Sequence, residues 1–141
     1  MRLRQAHAIL EAATAVAAAG LGFELWPLHS DYPGNTVNSD RMSGGTEFTD
    51  PDSGDRDARC YSVDLLPGPD DDTIEAYLTV GFGPEQECLL YTKRSVALEV
   101  REEERFRGLV GAQLAAEIAD KVREHEQPYR DAYARRSGPN A

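Results

Sequence analysis

The sequence predicts a two-layer α+β domain: an antiparallel four- to five-stranded meander packed against an N-terminal and a C-terminal amphipathic helix. Three observations lead there. Between Thr73 and Phe82, Ile74, Ala76, Leu78, Val80 and Phe82 alternate with Thr73, Glu75, Tyr77 and Thr79, the period of a sheet with one buried and one wet face. Leu3–Ala19 and the stretch after Val100 place apolar residues at three- and four-residue steps, the period of a helix with one covered face. Pro67-Gly68-Pro69-Asp70 and Gly83-Pro84-Glu85 separate the strand-like runs at short intervals, which suits strands joined consecutively.

Taken in order, the first element is an alanine-rich helix over Leu3–Ala19. Its stripe reads Leu3, Ala6, Leu10, Ala13 and Ala17, widened by Ile9 and Val16, and Gly20 and Gly22 stop it. Arg2 and Arg4 ahead of an Ala-rich run superficially suggest a signal peptide. His7 and Glu11 interrupt the apolar core and the helical spacing persists, so a structural helix is expected. Phe23, Leu25 and Leu28 read as a short strand ending near Pro27. Residues 29–57 read as a long acidic loop in which Asp31, Asp40, Glu47, Asp50, Asp52, Asp55 and Asp57 face only Arg41 and Arg56; a short hairpin around Thr46–Thr49 is weakly signalled. Arg59–Leu66 puts Tyr61, Val63 and Leu65 on one face. Thr73–Phe82 follows. Glu87–Thr92 and Ser95–Val100 read as two strands, or one bent near Lys93-Arg94.

Beyond Val100 a second helix opens on Glu102, Glu103 and Glu104, whose carboxylates favour the positive end of the helix dipole. Phe106, Val110, Leu114, Ile118 and Val122 form its stripe, and Gly108 and Gly111 imply close backbone approach. Pro128 ends this helix or starts a last short one. The expected core is Leu10, Leu78, Val80, Leu98, Leu114 and Ile118. A chain of 141 residues with 40% hydrophobic and 28% charged side chains makes one globular domain over residues 1–136, with a frayed tail at 137–141.

Charge bounds the partners. A net charge of −10 opposes a phosphate backbone, so no nucleic-acid partner is expected. No apolar run is long enough to span a bilayer, so no membrane partner is expected either, and the location is cytoplasmic or within a larger particle. Cys60 and Cys88 are read as two reduced thiols, with a disulfide as the alternative.

Motifs for chemistry are weak throughout. Asp50-Pro-Asp52-Ser-Gly54-Asp55-Arg-Asp57 has the composition of a calcium loop, but its glycine falls at position five and Tyr61 stands where a bidentate glutamate belongs. His29-Ser30-Asp31 lacks a nucleophile elbow, and Arg41-Met42-Ser43-Gly44-Gly45 lacks the Lys-Ser/Thr of a phosphate loop. His7 and His125 read as surface or boundary residues, and Glu124-His125-Glu126 has no second histidine at metal spacing. No metal or cofactor is expected.

Interaction signals are more numerous. Trp26 and Tyr32 flank Pro27 and Pro33; Asp50, Asp52 and Asp55 make the loop acidic; Tyr129, Arg130, Tyr133 and Arg135 form a basic aromatic tail of opposite sign. These residues suggest a non-enzymatic assembly subunit, adaptor or chaperone that binds other protein subunits through loop, tail and sheet edge, with a ring of its own copies as one form. The order of elements resembles that of phage tail-terminator and connector subunits, which implies a ring; no motif accompanies the resemblance. Two alternatives stand beside this reading. One is an acidic inhibitor or immunity-type protein blocking a basic surface. The other is a small hydrolase using loop carboxylates and His29.

Overall fold

A computed structural model describes residues 2–25, 40–49, 56–82, 85–95 and 100–136. Helix α1 (Leu3–Ala18) is followed by strands β1 (Glu24–Leu25), β2 (Asp40–Thr49), β3 (Arg56–Pro67), β4 (Thr73–Phe82) and β5 (Glu85–Ser95), and helix α2 (Val100–Arg136) closes the chain. The strands form one sheet in the order β1-β2-β3-β4-β5, every pair antiparallel. The expected α+β meander with a helix at each end is the fold of this chain.

Register explains the layering. Met42 lies opposite Val63, Val63 opposite Leu78, and Leu78 opposite Leu90. Residues paired across strands share a face, so Met42, Tyr61, Val63, Leu65, Ile74, Ala76, Leu78 and Val80 all point to one side, where they are buried. There they meet Ala8, Ile9, Ala12, Ala13 and Val16 of α1 and Leu114, Ala115, Ile118 and Val122 of α2 in one apolar cluster. Each large side chain fully buried in it contributes about 1.5–3 kcal/mol. Of the expected core, Leu78, Val80, Leu114 and Ile118 are in this cluster; Leu98 lies outside the described residues.

Leu10 is a correction: it is 44% exposed, and Leu3 more so. The buried face of α1 is Gln5, Ala8, Ile9, Ala12, Ala13 and Val16, turned away from the leucines. The cause is the approach of α2. A Cβ at Gly111 would lie 3.2 Å from the Glu11 carbonyl oxygen and 3.4 Å from the Ala12 Cα. Only the small side of α1 admits a helix backbone that near, so the bulky leucines are pushed to the flank. Gly20 (φ +72°) and Gly22 (φ +82°) end α1 in the left-handed region, as expected of C-terminal glycines.

Three further readings change. Asp40–Thr49, read as loop, is the ten-residue strand β2, paired with β3 from Asp40↔Leu65 to Thr49↔Arg56. Its glycines and polar residues give little strand propensity; pairing with β3 and the burial of Met42 supply what propensity does not. Gly44 is required here, because a Cβ would stand 2.6 Å from the Gly22 carbonyl oxygen. Secondly, the run Ser95–Val100 is not a strand to its end: β5 is a single strand closing at Ser95, and Val100 already opens α2. Residues 96–99 lie outside the described set. The glutamate-rich turn favoured at a helix N-terminus draws Val100 into the helix. Thirdly, α2 continues through Pro128 to Arg136. Proline removes one N–H and one i−4 bond. Glu124 and Pro128 are both exposed, so water can serve the freed carbonyl.

The two cysteines stand on strands that flank β4: Cys60 is opposite Gly81, and Cys88 is opposite Thr79. Two strand spacings are about 9–10 Å, wider than the roughly 7 Å between Cα atoms that a disulfide tolerates. Both are exposed free thiols.

The turn between β3 and β4 is pinned from α1. Gln5 is buried, and its Nε2 donates to the carbonyls of Asp70 (2.7 Å), Thr73 (2.9 Å) and Gly68 (3.3 Å). Its Oε1 accepts the Arg2 N–H at 3.0 Å, closing the first turn of the helix. One amide therefore joins a helix start to a β-turn.

Candidate functional site

Among the described residues, the strongest concentration of buried ionisable groups lies where β3 meets α2. Arg59 has the same strand parity as Tyr61, Val63 and Leu65, so the backbone aims it at the helices. Glu126 continues the i,i+4 series Leu114, Ile118, Val122 on α2, so the helix aims it at the sheet. Both are 0% exposed. Arg59 Nε donates to Glu126 Oε1 at 3.0 Å and Nη2 donates to Oε2 at 3.1 Å, a two-pronged ion pair. The Tyr61 hydroxyl donates to the same Oε1. With that proton committed, the Tyr61 oxygen receives the Nδ1–H of His125 at 2.9 Å, which sets the His125 tautomer. The Tyr129 ring covers the guanidinium of Arg59 at 3.8 Å and lies 5.8 Å from the His125 ring.

Burial by itself would raise the Glu126 carboxyl. The hydrogen bonds from Arg59 and Tyr61 and the charges of Arg59 and Arg130 outweigh it and hold the group below its ordinary 4.5. Tyr61 moves the other way, pushed well above 10.0 by burial and by the Glu126 carboxylate that accepts its proton. A carboxylate held this low, with both oxygens engaged, is a poor proton acceptor. The cluster works as a polar lock between sheet and helix. Beside it opens a hollow of about 410 Å³ lined by Leu89, Lys121, Glu124, His125, Pro128 and Tyr129.

The opposite side of the sheet is built differently. Glu75, Tyr77 and Thr79 on β4 and their register partners Lys93, Tyr91 and Cys88 on β5 point away from both helices, out of phase with the core. Tyr77 and Tyr91 stack with centroids 4.8 Å apart and planes tilted by 34°. The Tyr91 hydroxyl donates to Glu75 at 3.1 Å, and that carboxylate raises its pKa. Tyr91 is 51% exposed. The Glu75 carboxylate thus holds one member of the aromatic pair in place, with Tyr91 open to solvent.

Of the expected interaction residues, Trp26, Tyr32, Asp50, Asp52 and Asp55 lie outside the described residues, as does His29, and nothing is described of the Tyr133 side chain. Arg130 and Arg135 are exposed on α2. Tyr129 is engaged internally, over Arg59. Sequence reasoning gave Arg59 no role, weighed Glu126 only for metal binding beside His125, and took His125 for a surface or boundary residue. The signal was present: an arginine in phase with an apolar strand face and a glutamate in phase with an apolar helix stripe. Among the described residues no group of three or more His, Cys, Asp or Glu is placed to hold a metal ion, and no helix is long and apolar enough to cross a membrane. Comparison with known proteins finds no matching family model, no matching curated protein and no matching solved structure.

Proposed function

We propose that this chain is a non-enzymatic polypeptide-binding protein, an adaptor or assembly subunit that presents the outer side of its sheet and the sheet edge to other protein chains. The observation that carries this reading is the Tyr77–Tyr91 stack with Glu75 on a face that, among the described residues, no helix covers. Both helices lie on the other face, where they fill the core with Val63, Leu78 and Val80. The buried ionisable groups support the same reading, because Glu126 is spent on Arg59 and Tyr61. Rigid, half-open aromatics beside a charge are the residue types that dominate binding energy at interfaces.

The test is site-specific photocrosslinking in the source cells, with a benzophenone amino acid replacing Tyr77 on the outer face or Gln113 on the exposed side of α2. The expected result is a discrete polypeptide adduct from position 77 and none from position 113. Equal or absent labelling at position 77 refutes the assignment of the binding face.

A further inference from the structure

Strand β5 runs along the outer edge of the sheet, and among the described residues no strand pairs with its far side. It is 11 residues long and contains no proline. It carries two of the features that blunt an edge, a lysine and a bulge, yet its length leaves a row of backbone N–H and C=O groups for another strand. The bulge is at Leu89: Leu78 pairs with Leu90, and the next residue, Thr79, pairs with Cys88.

The charges along this edge are divided. Glu85 and Glu87 occupy the first half, Lys93 and Arg94 the second, and Cys88-Leu89-Leu90-Tyr91 separates them. An antiparallel copy of the same strand would lay each half against its opposite. The pleat restricts the register, because facing residues must point to the same side of the sheet. Tyr91 and Lys93 share the outer side with Tyr77 and Glu75, and Cys88 shares it with Thr79. Leu90, Thr92 and Arg94 share the inner side with Leu78, Ala76 and Ile74, and Glu87 shares it with Val80.

We infer that β5 pairs antiparallel with β5 of a second copy of this chain about a two-fold axis at Tyr91, joining two five-stranded sheets into one. This rests on the proposed binding role of the sheet and names its partner as self. In this register Tyr91 meets Tyr91, Leu90 meets Thr92, Cys88 meets Lys93 and Glu87 meets Arg94, with the bulged Leu89 skipped. Every facing pair agrees in side. The Tyr77–Tyr91 stack would extend across the axis, where cross-strand aromatic pairs are favourable. Arg94 gives its Nη2 to Glu117 of its own α2, and the guanidinium fork has further N–H groups for Glu87 of the second copy. An axis at Lys93 would oppose two lysines. An axis at Leu90 would leave Glu87 facing Thr92 and put the exposed tyrosines out of register.

Two measurements on the full chain test this. Light scattering of the native protein should give twice the 15.5 kDa chain mass, with Glu87→Lys weakening the dimer roughly tenfold through two like-charge contacts. In a Cys60→Ser, Cys88→Ser background, Tyr91→Cys should form a covalent dimer on mild oxidation, and Gln86→Cys should not. A monomer at the highest soluble concentration, or cross-linking through Leu90→Cys in place of Tyr91→Cys, overturns the inference. A monomer that still labels a foreign polypeptide from position 77 overturns self-pairing and leaves the binding face standing.

Discussion

Replacing Glu126 by alanine should be among the most damaging single changes in this protein. Arg59 would remain at 0% exposure without the carboxylate that accepts from its Nε and Nη2. Breaking a buried pair by removing one partner costs about 3–5 kcal/mol. The Tyr61 hydroxyl also loses its acceptor, adding up to about 1 kcal/mol. Domains of this size are stable by about 5–15 kcal/mol, so roughly a fifth or more of the total is at stake. At roughly 2–4 °C per kcal/mol, the 3–5 kcal/mol of the pair alone corresponds to a fall in Tm of roughly 6–20 °C. Urea unfolding followed by far-ultraviolet circular dichroism measures the change directly. The exposed pair Arg2–Asp71 is the control. Its 3.1 Å separation matches that of the buried pair, but its side chains are 71% and 74% exposed, so Asp71→Asn should cost under about 1 kcal/mol. The double variant Arg59→Met/Glu126→Leu removes both charges together and should recover most of the loss, because a buried ion pair is often no better than apolar residues of similar volume. If Glu126→Ala costs no more than Asp71→Asn, the pair is hydrated in solution and the lock is misread.

Three further outcomes are expected. The pH dependence has two limbs with opposite causes. Glu126 is held below its ordinary 4.5, so its contribution is present above that value and lost as pH falls through the lower folded value; Tyr61 is held above 10.0, so its contribution is present below 10.0 and lost as pH rises toward its folded value. In Tm-versus-pH profiles Glu126→Gln should flatten the acid limb and Tyr61→Phe the alkaline one, and an unchanged limb in either variant counts against the assignment. Gln5→Leu takes the amide donor from the Asp70, Thr73 and Gly68 carbonyls and should cost about 1–3 kcal/mol, with faster amide exchange in the 68–73 turn; unaltered exchange there would show that the turn closes without α1. Gly111→Leu should destabilise by about 1–3 kcal/mol or more through overpacking against the Glu11 carbonyl, whereas helix propensity alone predicts a gain of about 1 kcal/mol, so the sign of the change in urea midpoint decides between them.

How much was legible depended on whether a signal was local. The alternation over Ile74–Val80, the stripe Leu114-Ile118-Val122 and the glycines after α1 depend only on spacing along the chain, and each is found where spacing puts it. Strand β2 was not legible, because Gly44 is required by a close approach to Gly22 and the strand's pairing partner is β3. The buried face of α1 was misread for a related reason: hydrophobicity ranks leucine above alanine, but the contact with Gly111 ranks by size. The polar lock left its marks as one charged residue on each of two apolar faces. Nothing in the order of residues shows that Arg59 and Glu126 are the pair that meets.

What the sequence by itself determined is therefore the layering, since period two and period 3.6 dictate which side of each element can be buried. Only the tertiary structure decided which buried groups find each other and on which side of the sheet the two helices lie. Those outcomes depend on register, on backbone-to-backbone distance and on the cost of leaving a charge unpaired, and each is a property of two segments brought together from distant parts of the chain.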